Sequence, residues 1–121
     1  MRLGLTNLAW DPSRDEAVAG LLARLGVDAI DVAPSKYFAD VAAVREAGVR
    51  RVRDWWADRG IEITGMQSLL YGTQRLNLFG PPDVQQRMLA HLAAVCRVGA
   101  WLGATRLVFG SPANRNRAGL T

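Results

Sequence analysis

Four short apolar runs, three of them followed by a stretch of helical periodicity, constrain this chain more than any other feature. They begin at Leu3, Ala29, Ile61 and Thr105. The third passage, Ile61-Glu62-Ile63-Thr64-Gly65-Met66-Gln67-Ser68-Leu69-Leu70-Tyr71-Gly72, has the fullest form: an apolar run, then a polar cluster, then a loop. The polar exceptions fall at run ends, at Asn7, Asp31, Gln67 and Ser111. Each repeat is about the length of a βαβ unit, roughly 30 residues or more. Strict alternation of this kind predicts an α/β fold: a parallel sheet with helices outside.

Taken in order, Leu3 to Leu8 reads as strand one. Asp11-Pro12-Ser13 breaks it, and Ser13 with Glu16 forms a capping-box pattern. Val18, Leu21, Leu22 and Leu25 follow at helical spacing up to Gly26, the stop of helix one. Strand two runs from Ala29 to Ala33, with Ile30 and Val32 facing one way and Asp31 the other. Asp40 is the expected cap of helix two, which runs to Arg59 with a weak point at Gly48. After strand three, the loop from Gln67 to Pro82 is long for a βα connection, where about 2–6 residues is usual. Its Leu69, Leu70, Tyr71, Leu76, Leu78 and Phe79 must pack on something. Helix three opens at Pro81-Pro82-Asp83 and closes at Gly103, with Met88, Leu92, Val95, Cys96, Gly99 and Leu102 as its expected buried stripe. Strand four is Thr105 to Phe109.

A single domain over residues 1–121 is expected from this length. The net charge is +4, carried almost wholly by arginine, since Lys36 is the only lysine. The densest basic run, Arg50-Arg51-Val52-Arg53, shares its helix with Asp54 and Asp58, so it reads as a solvated face and no nucleic-acid partner is expected. One cysteine, Cys96, excludes an internal disulfide and a thiolate zinc cluster. No signal peptide and no apolar span of membrane length is visible, so a cytoplasmic location without a membrane partner is expected.

Two α/β architectures compete. A doubly wound nucleotide fold calls for a glycine-rich turn after strand one, where this chain has Asn7-Leu8-Ala9-Trp10-Asp11-Pro12. Gly4, Thr6, Asp31, Thr64 and Gly65 sit where a barrel interior takes small and polar side chains. A barrel is the better match, although a full one needs eight units and about 250 residues.

The passages Leu5-Thr6-Asn7-Leu8-Ala9-Trp10, Asp28 to Lys36, Ile63 to Gly72, Leu76-Asn77-Leu78-Phe79-Gly80 and Leu107 to Arg115 resemble the sugar phosphate isomerase/epimerase group. The resemblance implies a xylose-isomerase-like TIM barrel, of which this chain covers the first four strands, a half-barrel. It implies metal-assisted isomerisation or epimerisation of a sugar or a related keto or polyol substrate, with Mn, Mg, Co or Zn polarising the substrate oxygens. The family's metal ligands lie on the later strands, so no metal ligand is assigned here. The expected partners are a small sugar-like molecule and either a second copy, as a homodimer, or the C-terminal half-barrel that the resemblance implies. On this reading the chain is the N-terminal half of a longer barrel.

The candidate substrate-binding residues are Asn7, Trp10, Asp31, Lys36, Gln67, Ser111, Asn114 and Arg115. Trp10 can stack on a sugar face or pack on the next loop. Asp31 can bond substrate or pair with an arginine. Lys36 can hold an anionic group or stay solvated. Gln67 can bind a hydroxyl or fix its loop. Arg115 can clamp an anion bidentately, with Ser111 and Asn114 beside it, or these can serve as caps and surface pairs. His91 falls on helix three, where a packing role is expected. Two alternatives to an isomerase stand beside it: a self-associating half-barrel that binds without catalysis, and a DNA-repair endonuclease of the same barrel class, whose early-strand histidines this chain lacks.

Overall fold

The computed structural model describes residues 1–120. Seven elements follow one another: β1 Gly4–Thr6, α1 Asp15–Leu25, β2 Ala29–Val32, α2 Glu46–Ala57, β3 Glu62–Met66, α3 Pro82–Leu102 and β4 Arg106–Leu107. The strands form one parallel sheet in the order β1-β2-β3-β4. No helix is long and apolar enough to cross a membrane among the described residues.

The register sorts the side chains onto two faces. Leu5, Ile30 and Ile63 share one row, and Val32, Met66 and Leu107 another. A bulge between Ile30 and Asp31 lets β3 run one residue longer than β2, so Asp31 pairs with Gly65. That extra residue keeps Ile63 and Met66 on the same side although they are three apart. The intervening row is Thr6, Asp31, Gly65 and Arg106. Adjacent rows point to opposite faces.

One apolar core holds Ile30, Val32, Ile63 and Met66 together with Leu22 of α1, Val49 and Trp56 of α2, and Val95, Val98 and Leu102 of α3. All three helices therefore cover the same face of the sheet. Gly99 lets α3 approach β3 closely, since a Cβ there would stand 2.9 Å from the Met66 methyl. Consecutive strands as neighbours, with every helix on one side, make a singly wound α/β sheet. A doubly wound sheet instead reverses strand order and carries helices on both faces.

Local chemistry explains where the elements begin and end. The expected Ser13–Glu16 capping box does not form. Asp11 accepts from the Ser13 amide at 2.9 Å instead, opening a 3-10 turn over Pro12–Arg14 before α1 starts at Asp15. Its bonds to Ser13 hold the Asp11 carboxyl below the ordinary range. Glu16 turns outward to Arg59 at 2.9 Å. Helix α2 begins at Glu46, not Asp40. Asp40 caps a separate turn by accepting from the Ala42 amide at 3.0 Å, and Arg45 then returns to extended backbone. Gly48 falls in the first turn of α2, so no mid-helix break occurs. Gly26 and Gly103 end α1 and α3 in the left-handed region, with φ of 68° and 80°. The ladder regions of β1 and β4 are shorter than the apolar runs predict, because the chain turns into 3-10 geometry at Asn7 and leaves the sheet after Leu107.

Cys96 is exposed, whereas the sequence places it in the buried stripe. From Val95 the buried positions continue at Val98, Gly99 and Leu102, the i+3, i+4 and i+7 steps. Cys96 is one step around the helix from that line. On α2 the ion pairs are Arg50–Glu46 at 2.6 Å and Arg53–Asp54 at 3.0 Å, both on the solvated side.

Candidate functional site

In a parallel sheet all strand C-termini emerge at one edge, and ligand sites of α/β folds gather there. Here that edge carries Asn7, Ala33, Gln67 and Val108, the residues that follow β1, β2, β3 and β4.

Asn7 is almost fully buried at 1% exposed, and its Oδ1 accepts from the Ala33 amide at 2.8 Å. It thereby ties the end of β1 to the end of β2. Its Nδ2 has no hydrogen-bond partner. Gln67 is held by its own amide, which donates to Val32 O at 3.0 Å, and its Nε2 donates to Thr6 Oγ1 across β2. The Gln67 side chain thus lies across the sheet face opposite the helices. On the same face Thr64 Oγ1 donates to Asp31 Oδ1 at 3.0 Å. Thr64, not an arginine, is the partner of Asp31. Gly65 makes room for that carboxylate, because a Cβ there would lie 2.7 Å from Asp31 Oδ1 and 2.9 Å from Arg106 O.

Trp10 stands apart from this edge. Its Nε1 donates to Asp15 Oδ1 at 2.7 Å, and its ring lies 6.3 Å from that of Trp56. The Tyr37 hydroxyl donates to Asp15 Oδ2 at 2.7 Å and accepts from Trp56 Nε1 at 3.1 Å. Burial, then the bond to Asp15, pushes the Tyr37 phenol above its ordinary range. Both indole nitrogens are thus satisfied, and the cluster ties the first loop to α1 and α2. Lys36 Nζ donates to Trp10 O at 2.5 Å.

Ser111, Asn114 and Arg115 meet the long loop after β3. Asn114 Nδ2 donates to Leu76 O at 2.7 Å, and the Leu78 amide donates to Asn114 O at 2.9 Å. Ser111 Oγ donates to Asn114 Oδ1, and Arg115 Nε donates to Ser111 O at 3.3 Å. His91, on α3, bonds Leu69 O through Nε2 at 2.8 Å. Leu70, Leu76 and Met88 form a small second core beneath the loop. A long apolar loop is thus pinned from both sides.

Beside a hollow of about 270 Å³ between Tyr71, His91 and the turn at Asp40, two clefts open between these pieces. One, of about 300 Å³, lies between the ends of β3 and β4 and is lined by Gln67, Ser68, Tyr71, Phe109 and Ser111. The other, of about 220 Å³, lies over β2 and is lined by Leu8, Ala33, Ser35, Lys36, Ser68 and Tyr71. A larger hollow of about 460 Å³ sits at the opposite edge, beside Arg2, Asp28 and Glu62. Its charges already neutralise one another, with Arg2 2.9 Å from Asp28 and 2.8 Å from Glu62. The strand-end clefts hold no such ion pair; of their polar side chains, Gln67, Ser111 and Lys36 each make one hydrogen bond within the protein, to Thr6, Asn114 and Trp10 O respectively.

Of the sequence-predicted residues, Gln67 and Ser111 line the first cleft and Lys36 the second. Asn7 and Asn114 brace the backbone around them. Asp31 lies below on the open sheet face, Arg115 at the rim, and Trp10 on the helix side. Sequence reasoning missed Ser68 and Tyr71, which line both clefts. Ser68 takes a left-handed φ of 54°, uncommon for a residue with a Cβ. No periodicity marks either position. Their signal was the shape of the loop, two leucines flanked by a polar and an aromatic residue.

Among the described residues no three His, Cys, Asp or Glu side chains converge as a metal site. No family model, curated protein or solved structure matches the chain.

Proposed function

We propose that this chain forms the first four β/α units of a TIM barrel and one wall of a site for a sugar or a related polyol or keto compound, as in the sugar phosphate isomerase/epimerase group that the sequence resembles. The observation that carries the reading is the unreversed β1-β2-β3-β4 order with every helix on one face, which is how a barrel winds. The polar row Thr6, Asp31 and Arg106 on the opposite face suits a barrel interior, where small and polar side chains form layers. At the strand ends, Gln67 and Ser111 offer amide and hydroxyl groups to substrate hydroxyls, and Lys36 offers a cation to an anionic or carbonyl oxygen. Among the described residues no three His, Cys, Asp or Glu side chains converge, so no metal ligand is assigned to this chain. In this proposal any Mn, Mg, Co or Zn would be held by the other half of the barrel, and no step is derived through it. Calorimetric titration of the chain with D-xylose, D-fructose and D-gluconate tests the reading. Millimolar binding that Gln67→Ala weakens several-fold is expected, and no heat with any of the three would overturn it.

A second reading is favoured by the sheet's outer strands. Leu5 on β1 and Leu107 and Val108 on and after β4 are exposed at 40%, 37% and 53%. Edges of this kind invite pairing with another chain. A second copy, or the other half of a barrel, would cover them. Light scattering separates the cases: a dimer at micromolar concentration supports self-closure, and a monomer contradicts it.

A further inference from the structure

The two strand-end clefts share a wall made of two residues, Ser68 and Tyr71. Tyr71 is 77% exposed, the most exposed aromatic side chain of the described residues. Yet the backbone that carries it is fixed. Leu69 and Leu70, immediately before it, are buried at 7% and 3%. His91 bonds Leu69 O at 2.8 Å, and the Tyr71 amide donates to Ser68 O at 3.1 Å. Thr73 Oγ1 and its amide both return to Leu70 O, at 2.6 and 3.1 Å. The loop thus forms a tight turn whose base is anchored and whose tip presents one ring to solvent, bordering both strand-end clefts and the hollow beside His91. Ser68 adopts φ of 54° at the start of that turn, and Gly72 φ of 81° just after Tyr71. Only Ser68 thereby enters sparsely populated backbone, since glycine takes a positive φ freely. An aromatic face combines apolar area with little conformational freedom to lose, which suits it to the C–H face of a polyhydroxylated ring or chain.

The clefts differ in what they offer. Lys36 is the one charged side chain that lines either of them, and it lies on the β2 side. Gln67 and Ser111 lie on the β3–β4 side. No carboxylate lines either cleft. We infer that the two clefts are one elongated ligand site with Tyr71 as its stacking face, taking a polyhydroxylated compound whose hydroxyls meet Gln67 and Ser111 and whose anionic or carbonyl end meets Lys36. This rests on the polyol-binding reading above. It assigns to Tyr71 the stacking role that the sequence suggested for Trp10, whose ring is committed to Trp56 and Asp15.

Amide chemical-shift titration of the isotopically labelled full chain with D-xylose and D-gluconate tests it. One saturating curve shared by Ser35 and Lys36 on one side and Gly110 and Ser111 on the other is expected, with gluconate tighter than xylose. Tyr71→Phe should bind within about two-fold of the parent chain, and Tyr71→Ala about 10-fold more weakly. The spectrum of each variant reports folding directly, so lost binding is not confused with lost structure. Shifts confined to one cleft, or unchanged affinity in Tyr71→Ala, would overturn the single stacked site while leaving polyol binding intact. No shift with either compound would overturn both. Equal affinity for xylose and gluconate would remove Lys36 from the site.

Discussion

The two faces of the sheet are built by the same strands and follow opposite rules. Toward the helices stand Ile30, Val32, Ile63 and Met66, all at 2% exposed or less. On the other face, one residue along, stand Thr6, Asp31 and Arg106, with Gly65 among them. The first face is held by apolar burial, and its side chains are interchangeable in kind. The second is held by directed bonds, Thr64 to Asp31 and Gln67 to Thr6. Packing carries the fold, and the directed bonds of the polar face fix the strand ends relative to one another.

The largest expected break of this contrast is on the packed side. Trp56 is fully buried and contacts Trp10, Trp55 and Tyr37. Trp56→Ala should cost about 3–5 kcal/mol, read from urea unfolding. In a domain of this size that approaches the whole stability.

Next comes a pair of glycine substitutions, one on each face. Gly65→Ala puts a methyl 2.7 Å from a bonded carboxylate and 2.9 Å from a backbone oxygen, neither of which can easily retreat. A loss of about 1–3 kcal/mol is expected. Gly99→Ala crowds the flexible end of Met66, at 2.9 Å, and makes ordinary contact with Leu107 at 3.9 Å. It should cost less than Gly65→Ala, because the thioether can turn aside. The reverse ranking, measured by the same unfolding assay, would say that the open face is the more yielding one.

A smaller effect concerns pH. The Tyr37 phenol is raised in the folded chain by burial and by its bond to Asp15, from an ordinary value of 10.0. The folded state therefore keeps its proton where the unfolded state loses it. Stability from this group is intact below about pH 10 and declines as the pH climbs further, by at most about 1.4 kcal/mol per pH unit. Tyr37→Phe should lower stability at neutral pH by about 1–2 kcal/mol through the lost bonds to Asp15 and Trp56. It should also flatten the alkaline decline, which thermal melts between pH 8 and 11 would record.

The fold was legible wherever periodicity carried it. Ile30 and Val32 alternate with Asp31 in the sequence and do so in the sheet. Gly26 and Gly103 mark helix ends in both. What escaped was decided by competition between nearby polar groups. Asp11 outran Ser13 as a cap because it lies one residue before Pro12, where its carboxylate meets the Ser13 amide. Asp40 capped a turn instead of a helix, since Arg45 returned to extended backbone before α2 began. The site was partly legible. Gln67 directly follows β3, where a polar residue breaks an apolar run, and Lys36 and Ser111 lie four residues beyond β2 and β4. Ser68 and Tyr71 were hidden, because the exposure of a loop residue depends on which of its neighbours the core takes. Here the core takes Leu69 and Leu70, and the ring is left outside.

One sheet with a helix-covered face and an open polar face underlies the whole molecule. Thiol labelling tests this directly, in a Cys96→Ser background that removes the exposed native thiol. Val32→Cys and Arg106→Cys place a reporter on each face at modest cost. Arg106→Cys should react within about ten-fold of the unfolded chain. Val32→Cys should react only through unfolding, slower by about 10³-fold or more, in line with a stability of at least ~4 kcal/mol. Equal protection at both positions in a monomer would contradict the account, since helices would then have to cover both faces.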